Sequence, residues 1–357
     1  MKLFSGRAGK LLCIITSSIV LVILQGCEAE KKGIHWDIQS QATSSSTDYK
    51  ELVKMTANIK TMSAGRFIIT PHPGGEITGG PDIFNAVKKG KVQMGSGWPN
   101  WWSGQHPAWA VMNAGPFDFM NIDASLMYFI AGEGTKLANE LANPEGIIWR
   151  AAWWPGMEFG LLSKKPIKGI SDLKEMNVRI GPGLPSEVLA AATGAYAIPL
   201  VPNEIKASLE ANSLDAVEWT TVSGAWNLGL NDIATHAIVP AIWQPSVLAD
   251  FLINQKAYEA LPEDFKAILE TAIKSYTLTT TAIAKVEDFE ALKAFKRNGT
   301  SINQWSKSDI EKWHLVSNEV LEQYKKSNDF TKRLIESKQK FKKEYTTYYE
   351  WFGPYDE

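Results

Sequence analysis

The stretch RFIITPHPGGEITGGPDIFNAVKKGKVQMG (residues 66–95) sets the class of the fold. Its opening segment, Arg66–Thr70, is apolar in the way a buried strand requires, and Gly74-Gly75 and Gly79-Gly80 read as turns. Pro81 then opens a short helix reaching Val87, because a proline's missing N–H is no loss in a helix's first turn. Val92–Gly95 returns as a strand. Upstream, His35–Gln41 reads as a strand and Tyr49–Met62 as an amphipathic helix, with Leu52, Val53, Met55 and Ile59 near helical spacing. Strand, helix, strand, helix, strand predicts helices layered on a mainly parallel sheet.

The pattern resumes after a helical stretch, Ala124–Ala142. Strands are predicted at Ile147–Trp153, Phe159–Ser163, Asn177–Ile180 and Ala216–Thr220, with helices at Pro185–Thr193 and Asn203–Ala211 between them. Val247–Ile253 is a further strand. Between Pro262 and Asn298 there is neither Pro nor Gly, so that segment predicts one long helix or a kinked pair. Two more helices follow, Lys307–Tyr324 and Phe330–Tyr345, and suggest a brace or a dimer surface. The predicted architecture is therefore α/β and bilobal, with two α/β domains, a cleft between them and long C-terminal helices. Its expected divisions are 35–125 for domain I and 126–246 for domain II. Residues 247–357 supply a strand returning to domain I, a long spanning helix and the C-terminal helices.

At 357 residues, with 45% hydrophobic and 21% charged, the chain can bury a sizeable core. A net charge of −2 without a basic block argues against nucleic acid as a partner. The first 26 residues read as a targeting segment: Lys2, Arg7 and Lys10 precede an uncharged, mostly apolar run, Leu11 to Leu24. Leu24-Gln25-Gly26-Cys27 resembles a bacterial lipobox, which implies cleavage, acylation of Cys27 and a short tether over 27–34. Gln25 departs from the small or aliphatic residue usual at its place. Cleavage would leave 34 of the 37 basic residues against 39 acidic ones, a net of about −5, and Cys27 as the sole cysteine. No internal disulfide could then form.

Chemistry-bearing residues are few. Arg179 lies on a predicted apolar strand just before Gly181-Pro182-Gly183; its planar fork suits a carboxylate, whether a ligand's or a nearby Asp or Glu. Glu218-Trp219 ends another strand, and the carboxyl ends of strands in α/β sheets face the usual ligand crevice. Trp98, Trp101, Trp102 and Trp109 crowd one loop, WPNWWSGQHPAW (98–109), as core packing or as walls of a pocket. Trp153, Trp154 and Trp243 could add further apolar wall. Glu158 with Glu218 could form a hydrolase pair. Against enzymes generally, the five histidines (35, 72, 106, 236 and 314) lack zinc spacing, and no nucleophile elbow or phosphate loop occurs.

Three blocks carry a resemblance: residues 72–95, PIKGISDLKEMNVRIGPG (166–183) and PNEIKASLEANSLDAVEWTT (202–221). In order and spacing they resemble the DctP-type solute-binding proteins of tripartite ATP-independent periplasmic (TRAP) transporters. The nearest branch binds 2-oxo and 2-hydroxy monocarboxylates with a cation. The resemblance implies a non-enzymatic protein, periplasmic or extracytoplasmic, that delivers an organic acid to transporter membrane subunits. It assigns the ligand carboxylate to Arg179 and a cation, sodium or calcium, to Glu218 with the Trp219 carbonyl. The family's upstream amide and downstream acid fall on Glu158 and Gln244, so acid and amide are exchanged here. Glu158, Trp219 and the aromatic loop residues Asn100, Trp101 and Trp102 complete the expected substrate contacts. A sensory module coupled to a receptor would share this fold and site.

Overall fold

The computed structural model describes residues 33–113 and 115–353. The targeting segment 1–26 and Cys27 lie outside the described residues. In chain order the elements are β1 (Ile34–Ser40), α1 (Thr47–Met62), β2 (Phe67–His72), α2 (Ile83–Lys88), β3 (Met94–Gly97), α3 (Ile122–Ile130), α4 (Gly134–Ala142) and β4 (Ile147–Trp153). Next come β5 (Leu161–Ser163), β6 (Asn177–Arg179), α5 (Leu184–Thr193), β7 (Tyr196–Ile198), α6 (Pro202–Glu210), β8 (Ala216–Glu218), α7 (Val222–Asn227) and β9 (His236–Val239). The chain ends with β10 (Ala249–Asn254), α8 (Gln255–Glu259), α9 (Glu263–Arg297), β11 (Ser301–Gln304), α10 (Lys307–Ser327) and α11 (Asp329–Phe352).

Two sheets form, one per lobe. The first has order β2-β1-β3-β10-β4 and the second β11-β9-β5-β8-β6-β7. Parallel pairs β1–β2, β1–β3, β6–β7 and β6–β8 come from the helical crossovers that the sequence predicts. Both sheets are mixed, because β10 runs antiparallel to β3 and β4, and β5 antiparallel to β8 and β9.

The strand Ile147–Trp153, placed by the sequence reading in domain II, is an edge of the first sheet and pairs with β10. The chain therefore passes between the lobes at 154–160 rather than near 125. β11, a strand the sequence reading did not place, adds to the second sheet beside β9. Local periodicity says that a segment is extended; its sheet is chosen by partners far along the chain.

The long C-terminal segment is one unbroken helix, α9, about 52 Å long at 1.5 Å per residue. Its first half buries Phe265, Leu269, Ile273 and Tyr276 with Trp36, Ile38 and Phe251 of the first lobe. Phe295, near its other end, joins Phe159, Leu162 and Val217 of the second lobe. Without Pro or Gly, nothing inside α9 interrupts its hydrogen bonds. A third core cluster runs under both lobes and takes in Trp313 of α10, which packs on Trp243 and Trp305 with ring centroids 5.4 and 5.5 Å away. In α11, Lys338 donates to the Val111 carbonyl at 2.8 Å and pairs with Asp118, tying that helix to the first lobe. The last two helices thus brace the body. Among the described residues no helix is long and apolar enough to cross a membrane.

Candidate functional site

Because β6 and β8 are parallel neighbours, with Arg179 opposite Val217, their carboxyl ends open side by side. Arg179 is the last residue of β6 and Glu218 the last of β8, so both side chains leave the sheet at one place. Each residue is only 3% exposed. Arg179 Nη1 donates to Glu218 Oε2 at 3.0 Å and to the Glu218 carbonyl at 2.6 Å. Nε and Nη2 both donate to the Leu200 carbonyl, at 3.2 and 3.1 Å. Those four bonds use four of the guanidinium's five N–H directions. Its flat face lies over the Trp219 ring, 4.7 Å from the centroid, a cation–π contact.

Two other residues arrive from the passages between the lobes. Glu158 lies on 154–160 and Gln244 on 240–248, the return passage between β9 and β10. Main-chain bonds hold the passages together: Met157 bridges Ser246, and the Glu158 N–H donates to the Pro245 carbonyl at 3.0 Å. Gln244 Nε2 then donates to Glu158 Oε1 at 3.3 Å. Glu158 also meets the Glu218 carboxyl within hydrogen-bond reach. Burial first, and the Glu218 charge second, push the Glu158 carboxyl well above the usual range.

This arrangement leaves two buried oxygens, Glu158 Oε2 and Gln244 Oε1, without a hydrogen-bond partner. A buried orphan oxygen is costly, and a cation removes the cost. The available donors are two carboxylates, an amide oxygen and backbone carbonyls, which suit a hard cation and not zinc. Among the described residues no group of three or more His, Cys, Asp or Glu gathers around a common point. With no nitrogen or sulfur donor among them, the unpartnered Glu158 and Gln244 oxygens suit sodium or calcium. Directly after Trp219 the backbone enters the left-handed region at Thr220, φ +36°, a strained choice for a β-branched residue. Gly224 makes room for it: a β-carbon there would lie 2.0 Å from Thr220 Oγ1.

Trp98, Trp101 and Trp219 wall the space above the charged groups, which holds about 20 Å³. Asn100 lies on the same wall, with its amide spanning the lobes: Nδ2 donates to the Pro182 carbonyl at 2.9 Å. Trp102 requires a correction. Its ring turns into the first lobe, 1% exposed, and its indole N–H donates to Asp250 Oδ2 at 2.9 Å, away from this space. The tight turn Pro99–Trp102 points the two adjacent indoles in different directions. Trp154 and Trp243 are fully buried in the core, and Trp153 lines a neighbouring hollow between the lobes.

Sequence reasoning missed two contributors. Asn113 is buried on the site wall, donates to Asn100 Oδ1 at 3.1 Å and keeps its own Oδ1 unpartnered. The Leu200 carbonyl, which steers Arg179, is a backbone group that side-chain identity cannot advertise. No pattern marks Asn113 either; only the fold brings its loop there.

The profile of "Bacterial extracellular solute-binding protein, family 7" matches residues 38–327. A monocarboxylate 2-oxoacid-binding periplasmic protein of Nostoc sp. is 29% identical over 286 residues, covering 80% of this chain and 78% of that one. A TRAP periplasmic solute-binding protein of Colwellia psychrerythraea, solved with bound calcium and pyruvate, is 25% identical. It superposes with a TM-score of 0.85 over 90% of this chain and 97% of the other. The corresponding protein of Pseudoalteromonas atlantica, solved with sodium and pyruvate, is also 25% identical, with a TM-score of 0.84 and the same coverages.

Proposed function

The chain belongs to the bacterial extracellular solute-binding protein family 7, and from that premise we propose that it captures a small 2-oxo or 2-hydroxy carboxylate with a hard cation. It then delivers the acid to the membrane subunits of a TRAP transporter. One observation carries the reading: a buried arginine, two touching carboxyl groups and two orphan oxygens share one aromatic-walled space between the lobes.

Arg179 anchors the ligand carboxylate. Since Glu218 already holds Arg179 Nη1, an incoming carboxylate competes with Glu218 for that edge. Glu158, Glu218, Gln244 and the Trp219 carbonyl would hold the cation, whose positive charge would offset that of the incoming carboxylate beside Glu218. Acid and cation therefore bind better together than apart. Closure of the lobes about the passages 154–160 and 240–248 excludes water and strengthens each charged contact. Lobe I is read as the first sheet with its helices and lobe II as the second.

The family is one of solute-binding proteins, and this chain is read as non-catalytic. Glycosidase pairs stand about 5–9 Å apart, whereas Glu158 and Glu218 are in hydrogen-bond contact. Anchoring is a separate part of the proposal: residues 1–26 are removed and Cys27 is acylated. Labelled palmitate should appear on the wild type and vanish in Cys27→Ser; persistence of the label rules the anchor out. Pairing of two chains through α10 and α11 would show as a dimer in sedimentation. The ligand is tested by thermal shift against a panel of short 2-oxo and 2-hydroxy acids, with and without chelator. An acid at 100 times its Kd should add about 2.7 kcal/mol. No shift from any acid in either condition would remove the reading.

A further inference from the structure

The charged site is not the only space that Trp101 touches. Trp101 lines the 20 Å³ space around Arg179 and Glu158. It also borders a hollow of about 160 Å³ at the seam of the two lobes, lined among others by Gly74, Gly75, Gly79, Gly80, Val201 and Pro202. The Trp101 ring rests directly on Gly80, where a β-carbon would lie 2.1 Å from Trp101 Cζ3. Gly80 therefore owes its identity to the ring above it. Four glycines leave much of the hollow open; Gln41, Thr43 and Asn203 give it some polar lining, and no charged residue lines it.

We infer that Trp101 is a specificity-determining residue that caps ligand length, a single indole dividing the inner site from a neutral hollow that could otherwise take an aliphatic tail. The inference rests on the carboxylate-binding reading above and adds to it the class that is refused: 2-oxo acids with long straight tails. The space around Arg179 holds only about 20 Å³, so a short acid is the one that needs least added room there. Longer acids must either push the ring into Gly80, which has no room to give, or leave tail methylenes against charged groups. Each methylene so refused is worth about tenfold or more in discrimination. A second carboxylate finds no cationic partner in the hollow, so opening the wall helps only neutral tails.

The test is calorimetric titration of wild type, Trp101→Ala and Trp101→Phe with pyruvate, 2-oxohexanoate, 2-oxooctanoate and the six-carbon 2-oxo dicarboxylate. Wild type should favour pyruvate over 2-oxooctanoate by about 100-fold or more. Trp101→Ala should reduce that ratio at least about tenfold, with Trp101→Phe between the two and no gain for the dicarboxylate. A cooperative thermal melt with a wild-type circular dichroism spectrum in Trp101→Phe shows that a variant site still folds if the alanine variant does not. An unchanged ratio in both variants overturns the wall, and an equal gain for the dicarboxylate overturns the neutral hollow. Wild type binding none of these acids would instead strike the functional reading itself.

Discussion

Asp250 and Glu218 are both buried carboxyl groups, held in opposite ways. Asp250, on β10, sits in the core of the first lobe, and Oδ2 accepts from the indoles of Trp102 and Trp149 at 2.9 and 2.8 Å. No arginine or lysine is bonded to it, and burial pushes its carboxyl up to about 7. Glu218, on β8, has Arg179 at 3.0 Å, the Gly181 N–H at 3.2 Å and a second acid, Glu158, against it. A buried acid facing neutral, fixed donors is held as part of the scaffold. One held by a cationic side chain beside a second acid and orphan oxygens has partners that a ligand can exchange.

That contrast breaks most visibly at Arg179. Arg179→Ala leaves Glu218 buried without its partner, which should weaken acid binding by about 100-fold or more, as expected when half of a buried charge pair is lost. Arg179→Lys should also bind poorly, because a point charge cannot hold both Leu200 and a carboxylate. Calorimetry giving near-normal affinity for both would make the arginine structural and the two acids alike.

Asp250 offers the next largest effect, on stability and not on binding. Its folded value lies above the ordinary carboxylate range, so the unfolded chain gives up its proton first. Stability from this group is therefore complete at acid pH and falls as pH rises from about 4 to about 7. Asp250→Asn keeps the indole acceptor and cannot ionise. Relative to wild type it should gain on the order of 3 kcal/mol between pH 4 and pH 8, measured by urea unfolding without ligand. A wild-type difference that does not change over that range would show that Asp250 stays charged among the indoles.

At the cation set the expected changes are smaller. Glu158→Gln removes one carboxylate and should weaken cation-dependent acid binding about tenfold, while binding in chelator changes little. Adding Gln244→Glu returns the charge from the opposite passage and should restore most of the loss. Absence of rescue would mean that Glu158 and Gln244 do not share a cation. The smallest effect is expected at Trp102→Phe, which strips one donor from Asp250: about 1–2 kcal/mol of stability, with acid affinity unchanged. A large loss of affinity there would reverse the correction made for Trp102.

Much of the site was readable because its chemistry sits at ends of strands that local sequence announces. Arg179 before Gly181-Pro182-Gly183 and Glu218-Trp219 after an apolar run were both legible, as was α9 from an uninterrupted segment. The choice between a ligand anchor and an internal ion pair at Arg179 was not legible, and the geometry shows the pair already formed. β7, β9 and β11, three or four residues each, were not read; β5, β6 and β8 are as short and were found from the apolar residues around them.

By itself the sequence determined the order of the longer elements, the length of α9 and a small set of charged candidates, because spacing, prolines and glycines act within a few residues of themselves. Tertiary structure decided which sheet receives β4 and β11, and which of two adjacent tryptophans faces the site. It also brought Glu158 and Gln244, 86 residues apart, onto paired passages. Those outcomes depend on partners distant in the chain, and a hydrogen bond between two strands leaves no mark in the local pattern of either.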